Sequence, residues 1–229
     1  MQNIIQNHTK LDRIFIINLK HRTDRKQHIL SEMKKQNITN YEFFDAIRPT
    51  MEEVREWNKN FCNHVRAHVH PTKFDNYRIG CLGCLKSHIE VIKIALSRGY
   101  KKILVLEDDT VFIQSFSKFY EICERIKDYD MMYLSGSHMK PYKKLPNLKN
   151  IVKVTSTNTT GSYCIGDKAM HFIVSNIIGY PKEIDTFYSL FVQPKFDCYC
   201  IIPHMTKQLD GYSDIQNQDI KYKLSDYAF

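Results

Sequence analysis

The sequence predicts a single α/β domain built on a central, mostly parallel sheet. Three observations predict it. The 229 residues are about one domain's worth of chain. Short β-branched runs alternate with amphipathic stretches from one end to the other. No composition break, internal repeat or low-complexity tract divides residues 1–229, although residues 1–12 and 215–229 read as flexible or peripheral.

The elements follow in order. Residues 13–19, a β-branched run between polar flanks, predict a buried strand. Thr23 or Asp24 is placed to cap the next helix, whose apolar face is Ile29, Leu30 and Met33. Residues 41–47 predict a second strand, and the β-α-β order favours parallel pairing with a right-handed crossover. Residues 51–60 read as helical and residues 61–79 as irregular. A long helix is expected from about Leu82 to Arg98, because Leu85, Ile89, Ile92 and Leu96 share one face and Gly99 suits its end. Residues 101–106 predict a buried strand that stops abruptly at Glu107-Asp108-Asp109. Phe116, Phe119, Cys123 and Ile126 mark another helix. Short strands are expected at 131–134 and 151–154, with a basic loop at 140–149 between them. A strand at 162–165, helices at 168–177 and 184–191, and a strand at 198–202 complete the pattern. The polar tail from Asp210 reads as loop.

Composition narrows the function. Hydrophobic residues are 43% and charged residues 25%, which excludes extended disorder. Eight glycines and seven prolines fall well below the roughly 27 of average usage, so collagen-like repeats and long flexible linkers are excluded. The net charge of +8 suggests an anionic partner: nucleic acid, a membrane surface or a phosphorylated small molecule. The basic residues are scattered and no nucleic-acid recognition motif is present, so nucleic acid is not expected. No apolar run approaches the length of a membrane span. With no apolar leader at the start and seven cysteines, the expected setting is reducing and cytoplasmic, or the host cytoplasm if the source is viral. The sequons at Asn7, Asn37 and Asn158 then carry no weight.

The acidic triplet is the sharpest local feature. Ligands of open α/β sheets gather at the carboxyl ends of strands. Three adjacent carboxylates there repel one another, and a divalent cation with oxygen ligands would offset them. Residues i and i+2 at a strand end point the same way, so Glu107 and Asp109 could share one ion. A solvated acidic turn is the plain alternative. The basic stretch 20–26 lies between the first strand and its helix, where a helix N-terminus favours anions and arginine adds paired phosphate contacts. There is no glycine-rich phosphate loop, so side chains and a metal would have to hold a nucleotide. Cys81 and Cys84 with His88 form only a partial zinc pattern. His64, His68 and His70 read as loop histidines. Cys198 and Cys200 are taken to face opposite sides of their strand.

Four blocks in order resemble glycosyltransferase family 25. They are Ile14-Phe15-Ile16-Ile17-Asn18-Leu19 with Arg22 and Arg25, continued by Phe44-Asp45-Ala46; Gly80-Cys81-Leu82-Gly83-Cys84 with Ser87-His88; Leu106-Glu107-Asp108-Asp109; and Gly161-Ser162-Tyr163-Cys164-Ile165 with Ala169 and Ile184-Asp185. A weaker match covers Pro203-His204 and Gln208 to Asp214. Cys81 departs from the pattern, standing where the family has glutamate.

The resemblance implies a GT-A (Rossmann-like) nucleotide-sugar transferase fold. It implies a UDP-sugar donor, UDP-galactose or UDP-glucose, and a hydroxyl acceptor on a glycan or a collagen-like protein. It implies Mn²⁺ or Mg²⁺ held by Glu107 and Asp109, with His204 completing the shell. Asn18, Leu19, Arg22, Arg25, Ser87, His88 and Asp108 would line the donor side. Inverting transfer needs a base, for which Asp185 is the first candidate and Asp214 the second. The competing expectation is a family-like fold that has lost catalysis and serves as a binding or assembly module, a reading motivated by Cys81.

Overall fold

The computed structural model describes residues 11–58, 70–126 and 128–222. The first unit is β-α-β. Strand β1 (Arg13–Asn18) leads through helix α1 (Thr23–Lys35) to β2 (Tyr41–Asp45), and β1 and β2 pair in parallel. Neither expected side chain caps α1. The capping position is Arg22, whose guanidinium bonds the Asp24 carboxylate in the first turn at 2.8 and 2.9 Å.

Helix α2 (Met51–Asn58) precedes α3 (Phe74–Ser97). Here α3 starts eight residues before the expected Leu82. Gly80 and Gly83 each mark a close approach along the helix. A Cβ on Gly83 would sit 2.5 Å from the Ile47 carbonyl oxygen, and one on Gly80 would sit 2.6 Å from the Ile215 backbone. Tyr77 and Cys81, one turn apart, are buried beside Trp57, Phe74 and Ile215. Gly83→Ala is expected to destabilise the fold by about 1–3 kcal/mol through overpacking against rigid backbone, which urea unfolding would measure.

Strand β3 (Lys102–Glu107) pairs in parallel with β1. It is followed by β4 (Thr110–Phe112), α4 (Ser117–Ile126), β5 (Met131–Tyr133) and β6 (Ser137–His138). The expected basic loop is instead a hairpin of β7 (Lys143–Leu145) and β8 (Leu148–Lys153). Its lysines lie at a sheet edge, where charge discourages further strand pairing. Then come β9 (Thr157–Asn158), β10 (Ser162–Gly166), α5 (Asp167–Asn176) and α6 (Ile184–Phe187), which runs on into a wider turn over Tyr188–Val192. Strand β11 (Cys198–Ile201) is followed by β12 (Thr206–Gln208). The tail read as loop contains a hairpin, β13 (Gly211–Ser213) with β14 (Gln218–Ile220). Ile215, in the turn of this hairpin, packs on α3.

Eight strands form one sheet in the order β2-β1-β3-β10-β5-β11-β8-β7. The sheet is mixed rather than mostly parallel. The pairs β1–β2, β1–β3 and β5–β11 are parallel, while β10 runs antiparallel to both its neighbours. Alternate side chains feed two cores. Phe15, Val105, Tyr163 and Ile165 pack against the α3 and α5 face, and Ile16, Leu104, Leu106 and Cys164 against the α1 and α4 face. Both faces are covered, which is why β1 and β3 read as unbroken apolar runs. Cys198 and Cys200 lie in the same core. They are two residues apart and share a face, which corrects the reading that set them on opposite sides. No helix among the described residues is long and apolar enough to cross a membrane.

Candidate functional site

The carboxyl end of β3 delivers the acidic triplet into a divided cleft. One half is lined by Leu19, Arg25, Ser87, His88, Asp108 and Asp214, among others. The other half is lined by Tyr77, Cys81, Thr160, Glu183 and Asp185. Glu107, Cys84, Gln208, Ser213, Ile215 and Tyr222 border both halves. Strand β12 pairs with β4, so Gln208 lies opposite Thr110 and beside the triplet.

Each carboxylate has its own setting. Asp108 accepts from Asn18 Nδ2 at 2.7 Å and Arg25 Nη1 at 3.1 Å. Burial still holds its pKa above the ordinary value, because those partners offset the desolvation only in part. Asp109 Oδ2 accepts from Arg25 at 3.1 Å and from Gln208 Nε2 at 3.4 Å. Its Oδ1 is buried with no hydrogen-bond partner among the described residues. Burial, then the Glu107 charge, pushes the Asp109 pKa up to about 7. Glu107 Oε1 accepts from Thr160 Oγ1 at 2.8 Å and lies 3.2 Å from His88 Nε2. Burial opposes its ionisation, but His88, Thr160 and Arg25 together outweigh that and hold its pKa below the usual value.

Positive charge comes from the N-cap and first turn of α1. Arg25 bridges Asp108, Asp109 and the Tyr212 carbonyl. Arg22 pairs with Asp24 and Asp214, which ties β13 and the turn after it to the start of α1. Asn18 also donates to the Arg22 carbonyl at 3.2 Å, fixing the start of α1.

The remaining expected residues divide. Leu19 lines the cleft. Ser87 lines it too, but its hydroxyl accepts from Ile47 N–H at 2.8 Å and donates to the Gly83 carbonyl at 2.7 Å, so it fastens the chain after β2 to α3. His88 has both ring nitrogens engaged, with Glu107 and with Tyr163 Oη at 2.9 Å. Asp185 lies in the second half of the cleft, its Oδ2 accepting from Thr159 N–H at 3.2 Å. Asp214 lines the first half, against Arg22.

His204 does not join them. It lines neither half of the cleft, and its ring lies 5.9 Å from that of His138, with Cys200 nearby. The turn after β11 carries it away from the triplet, so the expected metal shell of Glu107, Asp109 and His204 is corrected.

The partial zinc pattern splits as well. Cys81 packs beside Tyr77, whereas Cys84 and His88 converge on Glu107. Burial, then the Glu107 charge, drives the Cys84 thiol far up and keeps it protonated. His70 bonds Thr72. Cys62, His64 and His68 lie outside the described residues, as do residues 1–10 and 223–229.

Sequence reasoning missed Thr160, Glu183 and Tyr222. Thr160 stands directly before the Gly161 block and Glu183 two residues before Asp185, so adjacency to matched positions was the available signal.

The mixed α/β sheet, with three carboxylates at a strand end facing a divided, arginine-flanked cleft, is compatible with the GT-A (Rossmann-like) class of transferase folds. The chain belongs to glycosyltransferase family 25, described as an LPS biosynthesis protein family, whose profile matches residues 11–188. It is 29% identical over 187 residues to procollagen galactosyltransferase 2 of Mus musculus, covering 77% of this chain and 29% of the relative. It is 26% identical over 227 residues to the procollagen lysyl hydroxylase and glycosyltransferase of Acanthamoeba polyphaga mimivirus, covering 86% of this chain and 25% of that one. The chain thus spans under a third of the length of these curated relatives. Among solved structures it is similar to a glycosyltransferase involved in glycosylation of the major capsid of PBCV-1, at 12% identity and TM-score 0.45, covering 90% of this chain and 95% of that one.

Proposed function

We propose that the chain transfers a hexose, galactose or glucose, from a UDP-sugar to a hydroxyl acceptor, with a divalent metal and with inversion. The observation that carries this reading is the buried Asp109 carboxylate, one oxygen of which has no hydrogen-bond partner among the described residues. It lies in a cleft shared with Glu107 and Asp108. Carboxylate oxygens suit Mn²⁺ or Mg²⁺, so Asp109 and Glu107 are the residues that would hold the ion. Bound there, the metal would neutralise charge on the departing diphosphate.

The chain's own residues supply the rest. Arg25 and Arg22 set positive charge beside the diphosphate side of the cleft. Asp185, across Glu107 from that side, takes the proton of the acceptor hydroxyl. The acceptor oxygen then bonds the anomeric carbon as the bond to UDP breaks. Asp214 is the weaker candidate base, because it stands on the donor side and is paired with Arg22.

The names of the relatives support galactose as the hexose and a collagen-like protein as an acceptor, and the family description supports a lipopolysaccharide glycan as the alternative. Free thiols at Cys81, Cys84, Cys123, Cys164, Cys198 and Cys200 support a reducing, cytoplasmic setting. The module reading rested on Cys81. It is weakened by Glu183, which keeps an acid in the same half of the cleft and bonds Tyr77 Oη at 2.5 Å.

The experiment is a UDP-sugar panel with Mn²⁺ and candidate acceptors. Asp185→Asn should slow transfer by about 100-fold, the usual scale for a lost general base, while donor KM stays unchanged. Unaltered turnover in Asp185→Asn would assign the base elsewhere.

A further inference from the structure

Away from the acidic cleft, three side chains from separate elements converge in the interior. They are His138 at the end of β6, Cys200 in β11 and His204 in the turn before β12. Their ligand atoms lie within 4.8 Å of one another, and all three residues are buried. We propose that His138, Cys200 and His204 form a Zn²⁺ site that fastens the 202–206 turn to the sheet.

The donor chemistry selects the metal. Two imidazoles and a thiolate suit a borderline-soft ion, whereas Mg²⁺ and Mn²⁺ prefer oxygen. Zn–N bonds of about 2.0–2.1 Å and a Zn–S bond of about 2.3 Å place tetrahedral ligands roughly 3.3–3.8 Å apart. Small side-chain rotations bring the cluster to that spacing.

An outer partner is already in place. His138 Nδ1 lies 2.7 Å from Thr157 Oγ1, and Thr157 is itself held by two hydrogen bonds to Gln193, at 2.9 and 2.6 Å. With Nδ1 facing Thr157, Nε2 is the nitrogen that would coordinate the ion, as is usual for a metal-bound histidine. On binding, the Cys200 thiol passes its proton to solvent and coordinates as thiolate.

The Cys84, His88 and Glu107 group is a poorer zinc site. It belongs to the acidic cleft, and a carboxylate there takes the place of the second imidazole, which makes the donor set harder.

The position has a consequence for the cleft. His204 lies two residues before β12, and Gln208 at the end of β12 contacts Asp109. Zinc at this cluster fixes the strand that borders the acidic triplet without taking part in transfer.

The test uses the untagged full chain, stripped of metal and titrated with Co²⁺ and then Zn²⁺. One equivalent of Co²⁺ should give a thiolate-to-cobalt charge-transfer band that Zn²⁺ abolishes. Cys200→Ser should remove the band, while Cys84→Ser and Asp109→Asn keep it. Thr157→Val should weaken Zn²⁺ binding about 10-fold or more, the usual scale for loss of an outer partner. Absence of the band in the unaltered chain overturns the proposal, which keeps it decidable even if Cys200→Ser fails to fold. A band that survives Cys200→Ser but not Cys84→Ser also overturns it, by placing the soft metal at the acidic cleft.

Discussion

Asp109→Asn will abolish transfer and, in metal-free buffer, make the protein more stable. The loss of activity follows from the removal of a carboxylate oxygen that would hold the ion. A metal that offsets diphosphate charge supplies several kcal/mol in the transition state, so the rate should fall on the order of 10³-fold. The gain in stability has a separate cause. Burial and the Glu107 charge push the Asp109 pKa from 3.8 up to about 7, so the folded chain holds a proton that the unfolded chain releases. With the folded pKa raised, stability is full below about pH 4 and is lost as pH rises through about 7. Asparagine removes that loss. A thermal melt in EDTA across this range should show a pH-dependent decline in the unaltered chain and a flatter curve in the variant. An unchanged curve would mean that Asp109 is already ionised and satisfied.

Arg25→Ala should cost about 3–5 kcal/mol, the scale for stranding a buried charge. One guanidinium answers both Asp108 and Asp109 and also bonds the Tyr212 carbonyl. Its removal takes the counter-charge from buried Asp108 and Asp109 and removes one of two ties between β13 and the start of α1, the Arg22–Asp214 pair remaining. Arg25→Lys should recover only part of this, because an ammonium lacks the planar fork that reaches three acceptors at once. Urea unfolding would measure the stability, and donor KM should rise in both variants. Full recovery by lysine would reduce the role of Arg25 to simple charge.

Particular residues show how far the sequence could be read. The β3 run and its acidic end were legible because burial on both faces demands an unbroken apolar run and the carboxylates mark where it stops. Arg22 and Arg25 were legible as basic residues after a strand, although the structure puts them at the start of α1 and not in a loop. Their partners were not, because Asp214 and the Tyr212 carbonyl are brought to them by a hairpin with no apolar alternation. The first two turns of α3 were not legible, because residues 74–81 are held as helix by tertiary contacts such as Tyr77 and Cys81 with Trp57 and Ile215 rather than by an extended apolar face. Glu107 and His88 were both expected in the site. Their mutual contact depends on how α3 lies over β3, which no local pattern records. His204 failed for a similar reason: a histidine after a strand can turn to either side, and packing with His138 and Cys200 took it away from the cleft.

Calorimetric titration of UDP into the chain, with Mn²⁺ or with EDTA, tests the central claim most directly. UDP should bind with Mn²⁺, lose binding in EDTA, and fail to bind Asp109→Asn under either condition. UDP binding of equal strength in EDTA and in Asp109→Asn would contradict a metal-held donor at the end of β3.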